Sequence, residues 1–372
     1  MTPDTIKNLN VAVIGAGYAG ATAAHALSRL GANVTVYEQA AESREVGAGI
    51  GLRPSTMEQF RKLGIIDVIH AVTSSSDYFE ILTKEGQRIA MEEWPEKRLY
   101  GVSTHFVHRG DFIQALLSVL PPEMVKFNHR LTRIVNNSSG ARVEFANGVS
   151  VEADLVIAAD GIRSQVRQQL FSDKAPLFAG EHAYRVVIPA EDTFGMVDDG
   201  NLRMYVGHGT KIYLLPLLHR NEVSFDVTCL SADPSPVPAS NKDELLRVVQ
   251  GFDPRLIQIT TGLDMAQVNL RAVYDIDPVA NWNSDCVVLI GDAAHAMCHH
   301  QGQGANSAVL DAGILADCIM QESSIADALA QFTAKRKPMT DELQRLSRKG
   351  WTEDEIQSVF PNQHEGEIAT WS

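Results

Sequence analysis

Three carboxylates, Glu38, Asp160 and Asp292, lie at the ends of apolar runs that predict buried strands. A carboxylate at such a strand end can accept hydrogen bonds from the hydroxyl groups of a sugar or a polyol. Each lies in or close to a segment with a glycine-bearing turn, where the backbone can approach a ligand closely. The three segments are residues 11–20, 154–167 and 287–306. Because they are spread over almost the whole chain, they indicate one large, extended ligand.

The first segment has the spacing of a dinucleotide-binding turn. An apolar run precedes Gly15-x-Gly17-x-x-Gly20, which includes Ala19; a helical pattern follows, and a second strand ends at Glu38. These elements predict a βαβ unit in which the helix N-terminus faces phosphates and Glu38 binds ribose hydroxyls. An ordinary glycine-rich turn between a strand and a helix is the alternative. Since a carboxylate disfavours a 2′-phosphate, we expect the adenosine end of FAD or NAD at this position, not that of NADP.

A second group of reactive side chains lies within one short stretch that contains His295, Cys298, His299 and His300. These residue types ligate metals, but a single loop lacks the second ligand pair that a zinc site needs, and we expect no metal. His299 and His300 are instead candidates for acid–base chemistry or for hydrogen bonds to a substrate. A packing role is the competing interpretation.

Composition and charge exclude several classes of protein. The 372 residues are 45% hydrophobic, typical of a globular enzyme, and no apolar run approaches the roughly 20 residues of a membrane span. No secretion signal is recognisable at the start. The four cysteines lie far apart and predict reduced thiols in a cytoplasmic protein rather than a disulfide framework. A net charge of −14 argues against a nucleic-acid partner, whose binding needs a concentrated basic face.

Turn signals divide the chain into a nucleotide-binding part and a strand-rich part. Asn147-Gly148 between alternating segments predicts a hairpin, and small and apolar residues at helical spacing predict a long helix at 305–321. Between 180 and 275, short alternating segments predict mostly strands. We therefore predict an α/β protein with a Rossmann-like fold, an inserted strand-rich substrate module and C-terminal helices. The predicted domains are a nucleotide-binding domain (1–72, 100–177 and 278–322), a β-rich substrate module (73–99 and 178–277), and a C-terminal helix and tail (323–372).

The turns at Asp160-Gly161 and Gly291-Asp292 distinguish this chain from a plain NAD dehydrogenase, which needs neither. Three further segments support the distinction: 44–50 (REVGAGI), 108–111 (HRGD) and 183–185 (AYR). Together these patterns resemble the single-component FAD-dependent aromatic hydroxylases, the group of p-hydroxybenzoate, salicylate, 3-hydroxybenzoate and 6-hydroxynicotinate hydroxylases. The resemblance covers residues 9–320 and implies a Rossmann-like FAD-binding fold.

The resemblance also implies an activity. Such an enzyme is a monooxygenase that consumes NADH or NADPH and O₂, and it transfers one oxygen atom from a flavin C4a-hydroperoxide to an aromatic ring. The implied substrate is a small aromatic or N-heteroaromatic compound, already hydroxylated and carboxylated, and the enzyme would be a monomer or homodimer without nucleic-acid or membrane partners. A flavin-binding redox sensor, or another FAD oxidoreductase that does not hydroxylate aromatic rings, is the alternative.

The matching motifs assign roles to particular residues. Arg44 and Arg109 would contact the FAD pyrophosphate and ribityl region, Asp160 would lie by the flavin chain, and Asp292 would bind a ribityl or phosphate oxygen. Backbone N–H groups at the start of the last helix would face the pyrimidine edge of the flavin ring. The remaining cofactor residues implied are Gly161, Gly291, Gly302, Gly304, Ala305 and Asn306.

One loop departs from the family pattern. His299 lies where the family usually has proline, and Gln301 lies where a second glycine is common. This loop is implied to lie on the substrate side of the flavin. The catalytic candidates are therefore His299 and His300 with Tyr213, and the substrate candidates are Arg185, Arg203, Tyr205 and Cys298. Solvent exposure or packing on a sheet is the competing interpretation for the strand residues.

Overall fold

The computed structural model describes residues 1–43, 47–137 and 140–349. Its strands are β1 (Asn10–Ile14), β2 (Asn33–Tyr37), β3 (Gly49–Leu52), β4 (Thr73–Ser76), β5 (Tyr78–Thr83), β6 (Arg88–Glu93), β7 (Thr104–His108), β8 (Val125–Lys126), β9 (Leu131–Asn137), β10 (Gly140–Phe145), β11 (Ser150–Ala153), β12 (Leu155–Ala158), β13 (Leu177–Pro189), β14 (Leu202–Gly207), β15 (Thr210–Leu217), β16 (Glu222–Leu230), β17 (Asn269–Asp275) and β18 (Val287–Leu289). Its helices are α1 (Pro3–Lys7), α2 (Tyr18–Arg29), α3 (Pro54–Leu63), α4 (Ile66–His70), α5 (Pro95–Tyr100), α6 (Arg109–Ser118), α7 (Gln165–Leu170), α8 (Lys242–Val248), α9 (Pro254–Gly262), α10 (Asp292–His295), α11 (Gly304–Gln321) and α12 (Ile325–Ser347).

A parallel sheet of order β18-β12-β1-β2-β8 forms the centre of the nucleotide-binding part. Its inner strands are apolar on both faces because helices cover both sides, and all four residues of β12 are buried. α2 follows β1 directly, and it packs with α11 against the sheet. The glycine-bearing turns at the ends of β1, β12 and β18 therefore lie along one edge of the sheet, as expected for parallel strands.

A second, seven-stranded sheet has the order β17-β13-β16-β15-β14-β5-β6. Its neighbours are antiparallel except for the parallel pair β14 and β5. The helices α8 and α9 pack with one face of this sheet in a second hydrophobic core. The two sheets draw on the same segments that the sequence analysis assigned to two domains, and we keep those boundaries as a proposal.

Two smaller sheets complete the fold. The hairpin β10–β11 turns at Asn147-Gly148 and pairs with β9, and β7 pairs with β3 and β4 on either side. The predicted fold class, a Rossmann-like α/β fold with a strand-rich module and C-terminal helices, is confirmed.

The last two helices close the nucleotide-binding core. α11 spans almost the predicted range 305–321, and α12 packs beside it with Leu329 and Phe332 fully buried. Residues 350–372, which end the predicted C-terminal helix and tail (323–372), lie outside the described residues. None of the helices in the described part of the chain has the length and apolar character needed to cross a membrane.

Candidate active site

A cavity of about 920 Å³ lies between the carboxyl edge of the parallel sheet and one face of the seven-stranded sheet. The parallel sheet contributes the turns after β1, β12 and β18, which line the cavity with residues that include Gly17, Ala159 and Asp292. The strands β13 to β16 and the loop 296–302 form the other side. Ligands of open parallel sheets bind at this edge, so the cavity is the candidate active site.

The glycine turn after β1 has the geometry that a bound dinucleotide requires. Gly15 has a φ of 101°, and a Cβ atom there would overlap the carbonyl oxygen of Ala159. A Cβ at Gly20 would overlap the carbonyl oxygen of Gly15. Gly17 precedes α2 and has open space on its Cβ side, and Ala19 also lines the cavity. The positive end of the α2 dipole therefore faces a space that a pyrophosphate can enter.

Glu38 binds the backbone of the same turn. One of its carboxylate oxygens accepts a hydrogen bond of 2.8 Å from the N–H of Ala16, and the other accepts one of 2.8 Å from the N–H of Ala40. The side chain therefore fixes the glycine turn to the end of β2. Its role toward a ribose remains a prediction.

Arg109 lines the cavity at the start of α6. Its backbone N–H donates to the carbonyl of Ala48 at 2.9 Å, and its Nε donates to the Tyr18 hydroxyl at 3.2 Å. These contacts hold the guanidinium beside the glycine turn, where it can attract a phosphate. Arg44, the other predicted pyrophosphate ligand, lies outside the described residues.

Asp160 has one oxygen in use and one free. Its Oδ2 accepts hydrogen bonds from the N–H groups of Gln165 at 2.7 Å and Val166 at 3.3 Å, at the N-terminus of α7. Its Oδ1 is buried and has no hydrogen bond from the described residues. Burial raises the pKa of this carboxyl. Gly161 follows with a φ of 76° and lines the cavity. Because an unsatisfied buried oxygen is costly, the arrangement fits a ligand hydroxyl.

Asp292 is held at the cavity by a buried ion cluster behind it. The N–H of Gly291 donates to Oδ2 of Asp311 at 2.8 Å, and Nε2 of His295 lies 2.6 Å from the same oxygen. Nε of Arg336 donates to Oδ1 of Asp311 at 2.7 Å. Burial favours the protonated acid, but His295 and Arg336 hold the pKa of Asp311 below its usual range. The sequence analysis missed Asp311 and Arg336, because a charge inside a helix gives no signal of its long-range partner.

The turn before α11 opens toward the cavity. Gly302 has a φ of 59°, and it lines the cavity together with Gly304 and Ala305. Asn306 does not line it. Its Oδ1 accepts from the N–H of Arg53 at 2.8 Å and from the Thr56 hydroxyl at 2.7 Å, and its Nδ2 donates to the carbonyls of Gly51 and Gly302, both at 2.9 Å. The Asn306 side chain therefore positions the turn and is not free to bind a ligand.

Tyr213, His299 and His300, the three catalytic candidates from the sequence, all line the cavity at its other end. The Tyr213 and His299 rings are 6.4 Å apart, and His299 Nε2 lies 2.9 Å from the Thr228 hydroxyl. The Tyr213 hydroxyl and the Nδ1 atom of His300 are buried and make no hydrogen bond with any described residue. His300 Nε2 lies 2.8 Å from a carboxylate oxygen of Glu181.

Burial determines the protonation states of Tyr213 and His299. It raises the pKa of Tyr213, an effect that Asp226 and Glu181 reinforce, so the phenol keeps its proton. It lowers the pKa of His299 well below its usual value, with help from Arg185 and His300, so this imidazole is neutral. Tyr213 can therefore act as a hydrogen-bond donor.

Two of the predicted substrate residues reach the cavity. Nε of Arg185 donates to Oδ2 of Asp226 at 2.7 Å, so an internal carboxylate already balances its charge. Cys298 also lines the cavity and is buried, and burial raises the pKa of its thiol to about 12. The thiol is therefore protonated and unreactive near neutral pH.

The other two predicted substrate residues lie elsewhere. Successive side chains of a strand point to opposite faces, and Leu202 and Met204 of β14 line the cavity. Arg203 consequently lies on the opposite face, where it pairs with Asp199 at 2.7 Å and Glu80 at 2.9 Å. Tyr205 is on that face too, in the second hydrophobic core, where burial raises its pKa to about 12. Neither residue can contact a substrate in this cavity.

The sequence analysis did not identify the apolar wall. Phe79, Trp94, Phe106 and Leu215 line the cavity from β5 to β7 and from β15, and they pack with one another. Their alternation with polar residues was a usable signal, but the register that brings these strands together is not local. A flat apolar wall beside a few polar groups suits a planar aromatic ring.

One end of the cavity thus contains a glycine cradle and a helix N-terminus, and the free buried oxygen of Asp160 belongs to the turn between Ala159 and Gly161, which line it; these features fit FAD. A family model described as the FAD binding domain matches residues 8–347. The chain belongs to this family. The resemblance inferred from the sequence motifs is therefore confirmed.

Relatives of known activity match over most of their length. A 6-hydroxynicotinate 3-monooxygenase of Bordetella bronchiseptica is 31% identical, with 91% of this chain and 89% of the relative covered. A 3-amino-4-hydroxybenzoate 2-monooxygenase of Streptomyces cremeus is 30% identical over 92% of this chain and 87% of its own. Klebsiella pneumoniae HpxO complexed with FAD and uric acid superposes with a TM-score of 0.84 at 26% identity, covering 95% of this chain and 90% of that one.

These similarities give the cofactor and the class of enzyme. The protein is an FAD-dependent monooxygenase of the aromatic hydroxylase family, with NAD(P)H and O₂ as co-substrates. They favour this function over the alternative of a redox sensor. Within the described ranges, no group of side chains forms a metal site.

Proposed function

We propose that this monooxygenase hydroxylates a small aromatic or N-heteroaromatic acid whose ring already carries a hydroxyl group. The observation that carries the proposal is the pair of unsatisfied polar groups, the Tyr213 hydroxyl and His300 Nδ1, beside the apolar wall. A ring hydroxyl placed between them would satisfy both. The relatives that act on 6-hydroxynicotinate and 3-amino-4-hydroxybenzoate have substrates of this chemical class.

We assign FAD to the cavity end formed by the parallel sheet. The N-terminus of α2 and Arg109 would hold the pyrophosphate, Asp160 and Asp292 would accept from ribityl hydroxyls, and residues 302–305 would border the flavin ring. When bound, FAD takes electrons from NADH or NADPH and uses O₂ to supply one oxygen atom for the substrate ring. The protein contributes binding, orientation and the exclusion of water.

Tyr213 would orient the substrate. Because its pKa is raised, it donates a hydrogen bond and does not accept the substrate's proton. A donor fixed on β15 holds a ring oxygen in one position, which sets the carbon that faces the flavin.

His300 would accept the proton of the ring hydroxyl. Loss of that proton makes the ring richer in electrons and more reactive toward an electrophilic oxygen. The Glu181 carboxylate at 2.8 Å can stabilise the resulting imidazolium. Burial and neighbouring cations lower the pKa of His299 well below its usual value, so His299 is a poor proton acceptor. Its hydrogen bond with Thr228 suits a positioning role.

The apolar wall would keep water from the reacting centre. Met204 and Leu215 come from neighbouring strands, and Phe106 closes the side toward β3. Exclusion of water protects a reactive oxygen species from unproductive breakdown. We further infer a cytoplasmic enzyme, an inference that the four buried, unpaired cysteines support, and we propose that it works as a monomer or homodimer.

The test is oxidation of NADH and NADPH by FAD-loaded protein with 6-hydroxynicotinate, 3-amino-4-hydroxybenzoate and salicylate. We expect at least one acid to accelerate oxidation and to gain one oxygen atom, as measured by product mass. Benzoate, which lacks the ring hydroxyl, serves as the matched control and should remain unmodified. If no hydroxylated acid of this panel is oxygenated, the proposed substrate class is wrong.

A further inference from the structure

A positively charged side chain in the cavity has no carboxylate partner. Arg53 follows β3 and precedes Pro54, the first residue of α3, and its guanidinium carbon lies 4.5 Å from the centre of the Trp94 ring. It lines the cavity. None of the described carboxylates forms an ion pair with it, although Glu96 acts on it electrostatically. Arg53 therefore provides an unbalanced positive charge in a partly closed site.

A hydroxyl without a partner lies close to this arginine. Thr104 of β7 is 1% exposed and lines the cavity, and its Oγ1 makes no hydrogen bond with the described residues. Its methyl group lies beside Gly51 of β3. Thr104 pairs across the sheet with Ser76 of β4, and the Ser76 hydroxyl accepts a hydrogen bond of 3.4 Å from the Trp94 indole N–H. A buried hydroxyl left without a hydrogen bond is destabilising. Its presence beside an unpaired cation points to an absent acceptor, that is, to an anionic ligand.

Arg185, another cation that lines the cavity, is already neutralised. Arg185 bonds to Asp226 at 2.7 Å, so a second carboxylate there would meet a balanced pair. The local charge of Arg53 matters more because the whole protein carries a net charge of −14, which repels anions at long range. A substrate carboxylate is therefore attracted more strongly to Arg53 than to Arg185.

The spacing between the two polar regions fits one substituted ring. Leu215 packs in the same cluster as Trp94, the residue under Arg53. Tyr213 lies two residues before Leu215 on the same face of β15, roughly 7 Å away along the strand. An aromatic acid lying over Leu215 can direct its hydroxyl to Tyr213 and its carboxylate toward Arg53.

We propose that Arg53 and Thr104 form a subsite for the carboxylate of the aromatic substrate, with Trp94 holding the guanidinium in place. The guanidinium donates two parallel hydrogen bonds to the carboxylate, and the threonine hydroxyl donates a third. The inference rests on the proposed function and adds to it the residues that select an acid over a neutral phenol.

The experiment compares acids with their isosteric amides. Dissociation constants of FAD-loaded protein are measured by flavin absorbance for 6-hydroxynicotinate and 6-hydroxynicotinamide, and for 4-hydroxybenzoate and 4-hydroxybenzamide. We expect Arg53→Gln to weaken binding of the acids about 10- to 100-fold and to change binding of the amides less than about 2-fold. Arg61→Gln, which removes an exposed arginine from the helix α3 that Arg53 precedes, is the matched control and should change binding of neither the acids nor the amides.

Thr104→Val tests the subsite without changing charge. It removes one hydrogen bond, so we expect acid binding to weaken about 5-fold with full FAD content. This variant decides the question if Arg53→Gln fails to retain FAD. Equal acid and amide binding by the wild type and both variants would overturn the subsite and leave the hydroxylase function intact.

Other outcomes separate the remaining explanations. An increased KM for NADH or NADPH in Arg53→Gln, with unchanged acid binding, would assign the arginine to a phosphate of the nicotinamide co-substrate and overturn the proposal. A wild type that neither binds nor oxygenates any acid of either panel would refute the proposed function, and the subsite with it.

Discussion

Replacement of Asp311 by asparagine is the most informative test of how the fold holds the cofactor end of the site. The Asp311 carboxylate accepts from Gly291, His295 and Arg336, and all three side chains of the cluster are at most 2% exposed. Asparagine has nearly the same shape, but its NH2 group takes the place of one carboxylate oxygen and must face a hydrogen-bond donor. It also leaves Arg336 buried without a counter-charge.

The expected loss follows from these contacts. Breaking a buried ion pair on one side costs about 3–5 kcal/mol, a large part of the roughly 5–15 kcal/mol that stabilises a typical domain. The free energy of unfolding, measured by urea denaturation at neutral pH, should fall by that amount. Because Gly291 precedes Asp292, the purified variant should also contain less FAD. Asp317→Asn, a partly exposed change on the same helix, is the control and should cost less than about 0.5 kcal/mol.

The stability difference between wild type and Asp311→Asn should depend on pH in a definite direction. His295 and Arg336 hold the pKa of Asp311 below its usual range in the folded protein. A lowered pKa contributes stability above the unfolded value of about 3.9, and this contribution is lost as the pH falls through the folded value. The difference between wild type and Asp311→Asn should therefore narrow in acid. Equal urea midpoints at neutral pH, or a difference that grows in acid, would refute the reasoning.

Three further substitutions test the site itself. Gly15→Val should yield protein without FAD, because a Cβ there overlaps the Ala159 carbonyl and φ is 101°. The measurement is flavin absorbance of the purified variant, and a full flavin content would contradict the assignment of this turn. Tyr213→Phe removes the donor to the substrate, so the KM for the accepted acid should rise about 5- to 20-fold with FAD content unchanged; an unchanged KM would place the substrate elsewhere. His300→Gln removes the proposed base, so kcat should fall about 100-fold or more. In this variant the substrate's dissociation constant should change little, and wild-type kcat would exclude His300 as the base.

The cofactor end of the site was predictable because its determinants are local. Gly15, Gly17 and Gly20 lie within six residues, so their spacing alone predicts a dinucleotide-binding turn. The turns at Asp160 and Asp292 follow buried strands whose apolar runs are visible in the sequence. Parallel strands then place these turns at one edge without any further information. The family match confirms the cofactor that this reasoning gave.

The substrate end was harder because it depends on which face of each strand meets the cavity. Arg203 and Tyr205 have suitable chemistry, but Leu202 and Met204 hold the inward positions of β14. A shift of one residue exchanges the two faces, and the sequence does not give the register of β14 against β5 and β15. Arg53 was not predicted as a site residue for a related reason. Its proposed role in binding a carboxylate depends on Trp94 and Thr104, which come from segments far along the chain.

This difference bears on how the protein selects its substrate. The cofactor end relies on backbone: glycine turns, helix N-termini and carboxylates that cap them. The substrate end relies on single side chains that project from β13 to β16, from β7 and from the loop 296–302, each supported by a different neighbour. A change of one such side chain can alter the ligand without disturbing the sheet that carries it, as long as its partner is not left unpaired. His299 and His300 do not meet that condition, because replacing them would take a contact from Thr228 and from Glu181. Tyr213 and Thr104 meet it, because their hydroxyls form no hydrogen bond with the described residues, so we expect changes at these two positions to alter ligand binding with little effect on the sheets.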